Sequence, residues 1–110
     1  MANVVIRIDA YGNPSHGCRW EVLDEESEDA SHKKVLRIDT VSWISRTGDL
    51  AIDFAFGPLL LNHPGPFIAL RGQPTKPESI RPQAPLGSYG YFVTVSGSNC
   101  ITKLELCLIG

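Results

Sequence analysis

A two-residue alternation of apolar and polar side chains runs through most of this 110-residue sequence. Successive side chains of a β-strand point to opposite faces of the sheet, so the alternation predicts half-buried strands. No stretch of eleven residues shows the 3.6-residue repeat of an amphipathic helix. We therefore expect an all-β fold of six to eight short strands, either an antiparallel β-sandwich or a Greek-key barrel, in one domain covering residues 1–110.

Two segments interrupt the alternation and predict loops. Residues 24–34 contain the acidic run from Asp24 to Asp29. A calcium loop would need alternate carboxylates and a glycine at its turn, so a solvated loop is the better prediction. Residues 57–87 hold seven of the eight prolines, which disfavours both helix and central strand there. One short strand is expected within this proline-rich segment, at residues 67–71.

The proline-rich segment is the predicted binding surface, because binding residues concentrate on loops held by a rigid scaffold. It combines apolar and basic side chains on a stiff backbone. The candidate binding residues are Leu60, His63, Phe67, Arg71, Lys76 and Arg81. The alternative is that residues 59–61 simply cover one end of the core.

Charge and cysteine content predict the compartment and narrow the class of partner. The net charge is −2, which gives no positive field for nucleic acid. The chain begins without the features of a secretory signal, and no window approaches the roughly 20 apolar residues of a membrane span. We therefore expect a cytoplasmic protein without a nucleic-acid or membrane partner, in which Cys18, Cys100 and Cys107 are free thiols.

Candidate catalytic and metal-binding residues are few. His16, Cys18 and His32 are the metal-type side chains closest in sequence. Zinc takes four ligands, or three and a water molecule, and this spacing matches no zinc pattern. A turn histidine beside a buried thiol is the alternative reading. The sequence has no G-x-S-x-G elbow and no glycine-rich phosphate loop before a helix, so it predicts no catalytic residue and no cofactor.

Four aromatic residues allow a further hypothesis, a carbohydrate-binding sandwich. Trp20, Trp43, Tyr89 and Tyr91 could stack on sugar rings. They also occupy alternating positions in predicted strands, where large aromatic side chains are typical of the core. The pattern favours the core.

Two segments together resemble cupredoxin-like domains over residues 35–110. The first comprises Asp39-Thr40-Val41-Ser42-Trp43 and, after a turn, Leu50 to Phe54. The second runs from Pro85 through Gly87-Ser88-Tyr89-Gly90-Tyr91 to Val95. They are similar to the "D-x-V-x-W" strand and the late "G-x-Y-x-Y" strand of that family. The resemblance implies a sandwich scaffold.

The resemblance also implies that a type-1 copper site is absent. Such a site needs two imidazoles, one thiolate and usually a thioether. Val93 stands where the family would place the thiolate, no histidine follows His63, and Met1 is the only methionine. We therefore expect a cupredoxin-like domain without copper that binds another protein or itself. A small metal- or thiol-dependent enzyme using the His16, Cys18 and His32 group is the second hypothesis.

Overall fold

The computed structural model describes residues 2–13, 17–54 and 58–110 of the chain. In these residues there are nine strands and no helix. The strands are β1 (Asn3–Asn13), β2 (Gly17–Leu23), β3 (His32–Val35), β4 (Thr40–Ile44), β5 (Leu50–Asp53), β6 (Phe67–Ala69), β7 (Glu78–Ser79), β8 (Gly87–Val95) and β9 (Ile101–Leu108).

The strands form two sheets that enclose one core. The first sheet has the order β2-β1-β4-β7 and the second the order β3-β9-β8-β5-β6. The predicted all-β sandwich is confirmed. The sheets are mixed rather than antiparallel, however, because β1 runs parallel to β4 and β3 runs parallel to β9. The strand number exceeds six to eight because β3 and the two-residue β7 lie in segments that were predicted as loops.

The alternation in the sequence sorts the side chains between core and surface. Val4, Ile6 and Ile8 of β1 are buried, whereas the residues between them lie on the outer face, where Arg7 is partly exposed. At the centre of the core, the rings of Trp43, Phe54, Phe67 and Tyr91 pack with centroid separations from 4.8 to 6.4 Å. The Trp43 Nε1–H group donates a hydrogen bond to the Tyr91 hydroxyl at 3.3 Å. This pair satisfies two buried polar groups that would otherwise oppose burial.

The acidic segment is a hydrogen-bonded turn followed by a strand. The Asp24 carboxylate accepts backbone hydrogen bonds from Glu26 at 2.9 Å and Glu28 at 3.1 Å. It also forms an ion pair with Lys33, at 2.9 Å. The predicted loop 24–34 therefore ends early, because β3 begins at His32 and pairs with β9.

The proline-rich segment is fastened to the sandwich by backbone hydrogen bonds. Gly72 donates to the Ser45 carbonyl and Thr75 donates to the Trp43 carbonyl, which holds the segment along the edge of β4. Leu61 forms a bridge to Ile80. The strand expected at residues 67–71 is shorter, since β6 ends at Ala69 and a turn follows.

Candidate interaction site

The six predicted binding residues do not form one surface. Leu60 and Phe67 are buried in the core, where Phe67 contacts the Trp43 ring. Their apolar surface is therefore already used within the chain. This placement agrees with the alternative that residues 59–61 cover the core.

The four polar candidates lie apart from one another and mostly bond to the chain itself. His63 stacks on Phe67 with ring centroids 4.6 Å apart. Arg71 donates to the Arg46 carbonyl beside the β4–β5 turn, and Arg81 donates to the Leu59 carbonyl. Lys76 is exposed and has no hydrogen bond or ion pair with any described residue.

The predicted metal group is not assembled among the described residues. His16 lies outside them, and Cys18 has no thiolate to offer because its sulfur is bonded to that of Cys100. His32 lies in the other sheet, with its Nε2 atom 3.6 Å from a Glu105 carboxylate oxygen. In residues 2–13, 17–54 and 58–110, no three His, Cys, Asp or Glu side chains are grouped so that they could hold a metal ion.

The disulfide corrects the prediction of three free thiols. It joins Cys18 of β2 to Cys100, which precedes β9, across 82 residues of sequence. Only Cys107 remains a free thiol among the described cysteines. Because stable disulfides are typical of oxidising compartments, the cysteines no longer support a cytoplasmic location. Among the described residues, no helix has the length and apolar character to cross a membrane.

Three of the four aromatic residues considered for sugar binding belong to the core. Trp43 and Tyr91 are fully buried, and Tyr89 is buried with its hydroxyl donating to the Pro85 carbonyl. Trp20 alone is partly exposed. It lies in β2, the outermost strand of the first sheet.

On the side away from β1, one end of β2 has no neighbouring strand among the described residues. At the other end, Ala30 donates to the Val22 carbonyl and Asp24 donates to the Glu28 carbonyl, both at 2.9 Å, so residues 28–30 cover that end. Backbone groups along a strand point alternately to its two sides. The N–H and C=O groups of Cys18 and Trp20 therefore point away from β1, as those of Val22 do. No described residue pairs with them. We call residues 17–21 the open edge.

A surface cleft of about 340 Å³ lies beside the open edge and is lined by Tyr11, Arg19, Trp20 and Glu21. We call it the edge cleft. Tyr11 and Arg19 are direct cross-strand partners, so their side chains share the outer face of the sheet. Trp20 points to the opposite face, where it packs against the core. The edge cleft therefore presents an aromatic ring and both signs of charge.

A network of charges beside the edge cleft fixes its outer face. The Asp9 carboxylate is fully buried, 3.1 Å from Arg7 Nε and 3.2 Å from Arg46 Nη2. The hydrogen bond to Asp9 raises the pKa of the Arg46 guanidinium above its ordinary value, so this group stays charged. Arg7 in turn binds Glu21 at 2.8 Å. Arg19 has no ion-pair partner among the described residues, which leaves one cation free in the edge cleft.

A second and smaller cleft of about 180 Å³ lies at the adjoining end of the sandwich, and we call it the end cleft. Tyr11 lines both clefts. The other lining residues of the end cleft are Ala10, Gly12, Val95, Ser98 and Cys100. Cys100, one of the two disulfide-bonded cysteines, therefore borders a solvent-accessible space.

The open edge and the edge cleft could be predicted only in part from the sequence. The alternation places Tyr11, Arg19 and Glu21 on an outer face, but the strand order decides that β2 is outermost. Comparison of the chain with protein-family models and with curated proteins finds no match. The geometry of the open edge is therefore the basis for a functional proposal.

Proposed function

We propose that this protein is a non-catalytic interaction module, cupredoxin-like and without a type-1 copper site, which binds an extended segment of another protein along the open edge. The two segments that resemble the family face each other across the core, since the rings of Trp43 and Tyr91 are 5.6 Å apart. Val93, at the position considered for a thiolate, is a fully buried core residue. These features support a scaffold role.

The observation that carries the proposal is that no described residue pairs with the backbone N–H and C=O groups of Cys18 and Trp20. An exposed edge offers N–H and C=O groups to an incoming strand, and strand addition is a recurring mode of peptide recognition. The two residues together offer two donors and two acceptors. Residues 28–30 cover the end of β2 at residues 22–23, which limits the added strand to the length of the open edge.

The side chains around the open edge indicate the chemistry of the partner. An added strand places alternate side chains on the two faces of the sheet. On the outer face, an acidic side chain would pair with Arg19 beside the Tyr11 ring. On the inner face, an apolar side chain would extend the surface of Trp20. We therefore propose an extended segment with one acidic residue flanked by apolar ones.

Two synthetic heptapeptides of alternating valine and threonine test this proposal, one with a central aspartate and one with a central lysine. Binding is followed by amide chemical-shift changes. The aspartate peptide should shift the amides of residues 17–21 and bind about threefold more tightly, the size expected for one exposed ion pair. No shift in this range with either peptide would contradict strand addition at β2.

Two substitutions at one position separate backbone pairing from side-chain contact. Trp20→Pro removes the outward N–H group, whereas Trp20→Ala keeps it and removes only the ring. Because the Trp20 N–H is not bonded to β1, proline leaves the existing ladder in place. We expect Trp20→Pro to abolish binding and Trp20→Ala to weaken it. Equal binding by both variants would contradict the backbone role.

A further surface provides the alternative of self-association. Ile68 of β6 and Ile101 of β9 are 53% and 58% exposed on the outer face of the second sheet. Ala51 and Thr94 join them into one row across four strands. Association through this row would shift the amides of β6 and β9 as the protein concentration rises, without peptide and without effect on the open edge.

A further inference from the structure

The disulfide joins the open edge to the second sheet, in addition to the pairing of β2 with β1. Along β2, the inward-facing side chains are Val22, Trp20 and Cys18, and Cys18 is the last of them before the hairpin end. Opposite Cys18 stands Gly12, whose positive φ of 111° suits glycine. A Cβ there would lie 2.9 Å from the Gly17 carbonyl oxygen. Gly12 and Gly17 have no side chains with which this end of the β1–β2 pair, the hairpin end, could contact the core. The Cys18–Cys100 bond connects the hairpin end to the second sheet.

The disulfide is also within reach of a reductant. Cys18 is partly exposed in the outermost strand, and Cys100 borders the end cleft. Thiol–disulfide exchange requires a thiolate to approach one of the two sulfur atoms. The free thiol Cys107 lies in β9, where it pairs with Ser88 of β8 and Lys34 of β3, and it is not bonded to Cys18 or Cys100.

We propose that the Cys18–Cys100 disulfide is a redox-sensitive clamp that holds the open edge in its binding conformation, an inference that rests on the proposed function. A dithiol reductant opens it in two steps. One thiolate attacks a protein sulfur to form a mixed disulfide, and the second thiol of the reductant then displaces the protein thiol. Cys18 and Cys100 together gain two electrons and two protons, and the reductant becomes a disulfide.

Opening the bond releases the hairpin end while the aromatic core keeps its contacts. A partner strand must then order the open edge as it binds. Fixing a single residue has an entropic cost that corresponds to about a tenfold change in affinity. Reduction should therefore weaken binding of the aspartate peptide about tenfold, through the loss of preorganisation.

Amide hydrogen exchange of the Cys107→Ser variant, without peptide, tests the clamp independently of any ligand. In the oxidised protein the N–H group of Arg19 points towards β1 and is bonded to it. We expect dithiothreitol to lower its protection at least about tenfold, to a level below that of Tyr91 and Leu104, because the edge opens locally whereas these two core amides open only with global unfolding. Unchanged protection at Arg19 would overturn the inference, as would equal protection of Arg19, Tyr91 and Leu104 in the reduced protein.

The double variant Cys18→Ser/Cys100→Ser provides the matched comparison. It should exchange and bind like the reduced protein whether or not dithiothreitol is present, whereas Cys107→Ser should respond like the parent chain. Equal peptide affinity of the oxidised and reduced Cys107→Ser protein would overturn the clamp. If the oxidised protein binds neither peptide, the proposed function fails, but the exchange rates of the free chain still decide whether the disulfide holds the edge.

Discussion

Tyr91 is the residue at which the polar and apolar requirements of the core meet. It is fully buried, and its hydroxyl accepts the Trp43 Nε1–H group at 3.3 Å. Burial raises the pKa of the Tyr91 phenol far above its ordinary value, and the hydrogen bond from Trp43 opposes this only in part. The native state therefore holds Tyr91 in its neutral form.

This raised pKa predicts a loss of stability in alkaline solution. Below about pH 10 the phenol is neutral in both states, so it causes no pH dependence. Above that pH the unfolded chain ionises and the native chain does not, so the free energy of unfolding falls by up to about 1.4 kcal/mol per pH unit. Urea unfolding between about pH 9 and pH 11 measures the slope.

Tyr91→Phe is the matched variant for this slope. It removes the titrating group and leaves Tyr11 and Tyr89 in place. We expect a shallower alkaline slope and a stability about 1–2 kcal/mol lower near neutral pH, because Trp43 Nε1 loses its acceptor in the core. An identical slope in the two proteins would show that Tyr91 does not cause the effect.

Single residues also show where a sequence is ambiguous. The proline-rich surroundings of Leu60 and Phe67 predict binding residues, but both are buried in the core, Phe67 as part of β6 beside β5. In a proline-rich segment, the local sequence does not show whether an apolar side chain covers the core or faces solvent. Arg19 is ambiguous in another way. An exposed charged residue is ordinary on an alternating strand, so the sequence does not mark it as a binding residue.

At the scale of elements, the turn at Asp24 is held by charge. The side-chain hydrogen bond from Lys33 lowers the pKa of Asp24 below its ordinary value, and the backbone N–H groups of Glu28 and Glu26 contribute in the same direction. The Asp29 carboxylate likewise has a lowered pKa, because the backbone N–H and the hydroxyl of Ser31 bond to it. Both carboxylates therefore stabilise the turn in their ionised forms.

These lowered pKa values predict that the turn loosens in acid. A carboxyl group with a depressed native pKa stabilises the fold above its unfolded pKa, near pH 4, and loses this effect as the pH falls through the native value. We expect the exchange protection of the Glu26 and Glu28 amides to fall between about pH 5 and pH 2.5, more than that of β8. The Asp24→Asn variant should lack most of this change, and an equal pH response in the variant would contradict the role of Asp24.

Elements with long alternating patterns were predicted well, whereas the short strands β3 and β7 were not. The runs that became β1, β8 and β9 each contain several inward and outward positions, so the period is visible in the sequence. β7 has two residues and β3 has four, and both lie in segments whose proline-rich or acidic composition predicts a loop. These short strands form because β4 and β9 present backbone groups to them, which is a tertiary cause.

At the scale of the molecule, the disulfide closes a long loop and limits the unfolded chain. For a sequence separation of 82 residues, chain entropy predicts a stabilisation of about 4.5 kcal/mol. We expect Cys18→Ser/Cys100→Ser to lose stability of this order in urea unfolding, whereas Cys107→Ser, at a partly buried free thiol, should change it little. Equal stability of the double variant and the parent chain would contradict a structural disulfide.

The pairing of Cys18 with Cys100 could not be predicted from spacing. Residues so far apart meet only when the hairpin end of the first sheet and the β8–β9 turn reach the same end of the sandwich. The strand order that brings them together also leaves β2 outermost. The disulfide and the open edge are therefore properties of the assembled molecule, and both were absent from the sequence predictions.

Amide hydrogen exchange along β2 in the oxidised chain, without any ligand, tests the central claim most directly. Along this strand, backbone groups that bond to β1 alternate with groups that face solvent. We predict slow exchange at Arg19 and Glu21 and fast exchange at Cys18 and Trp20. Equal protection of all four amides would show that the edge is already covered and would contradict the account.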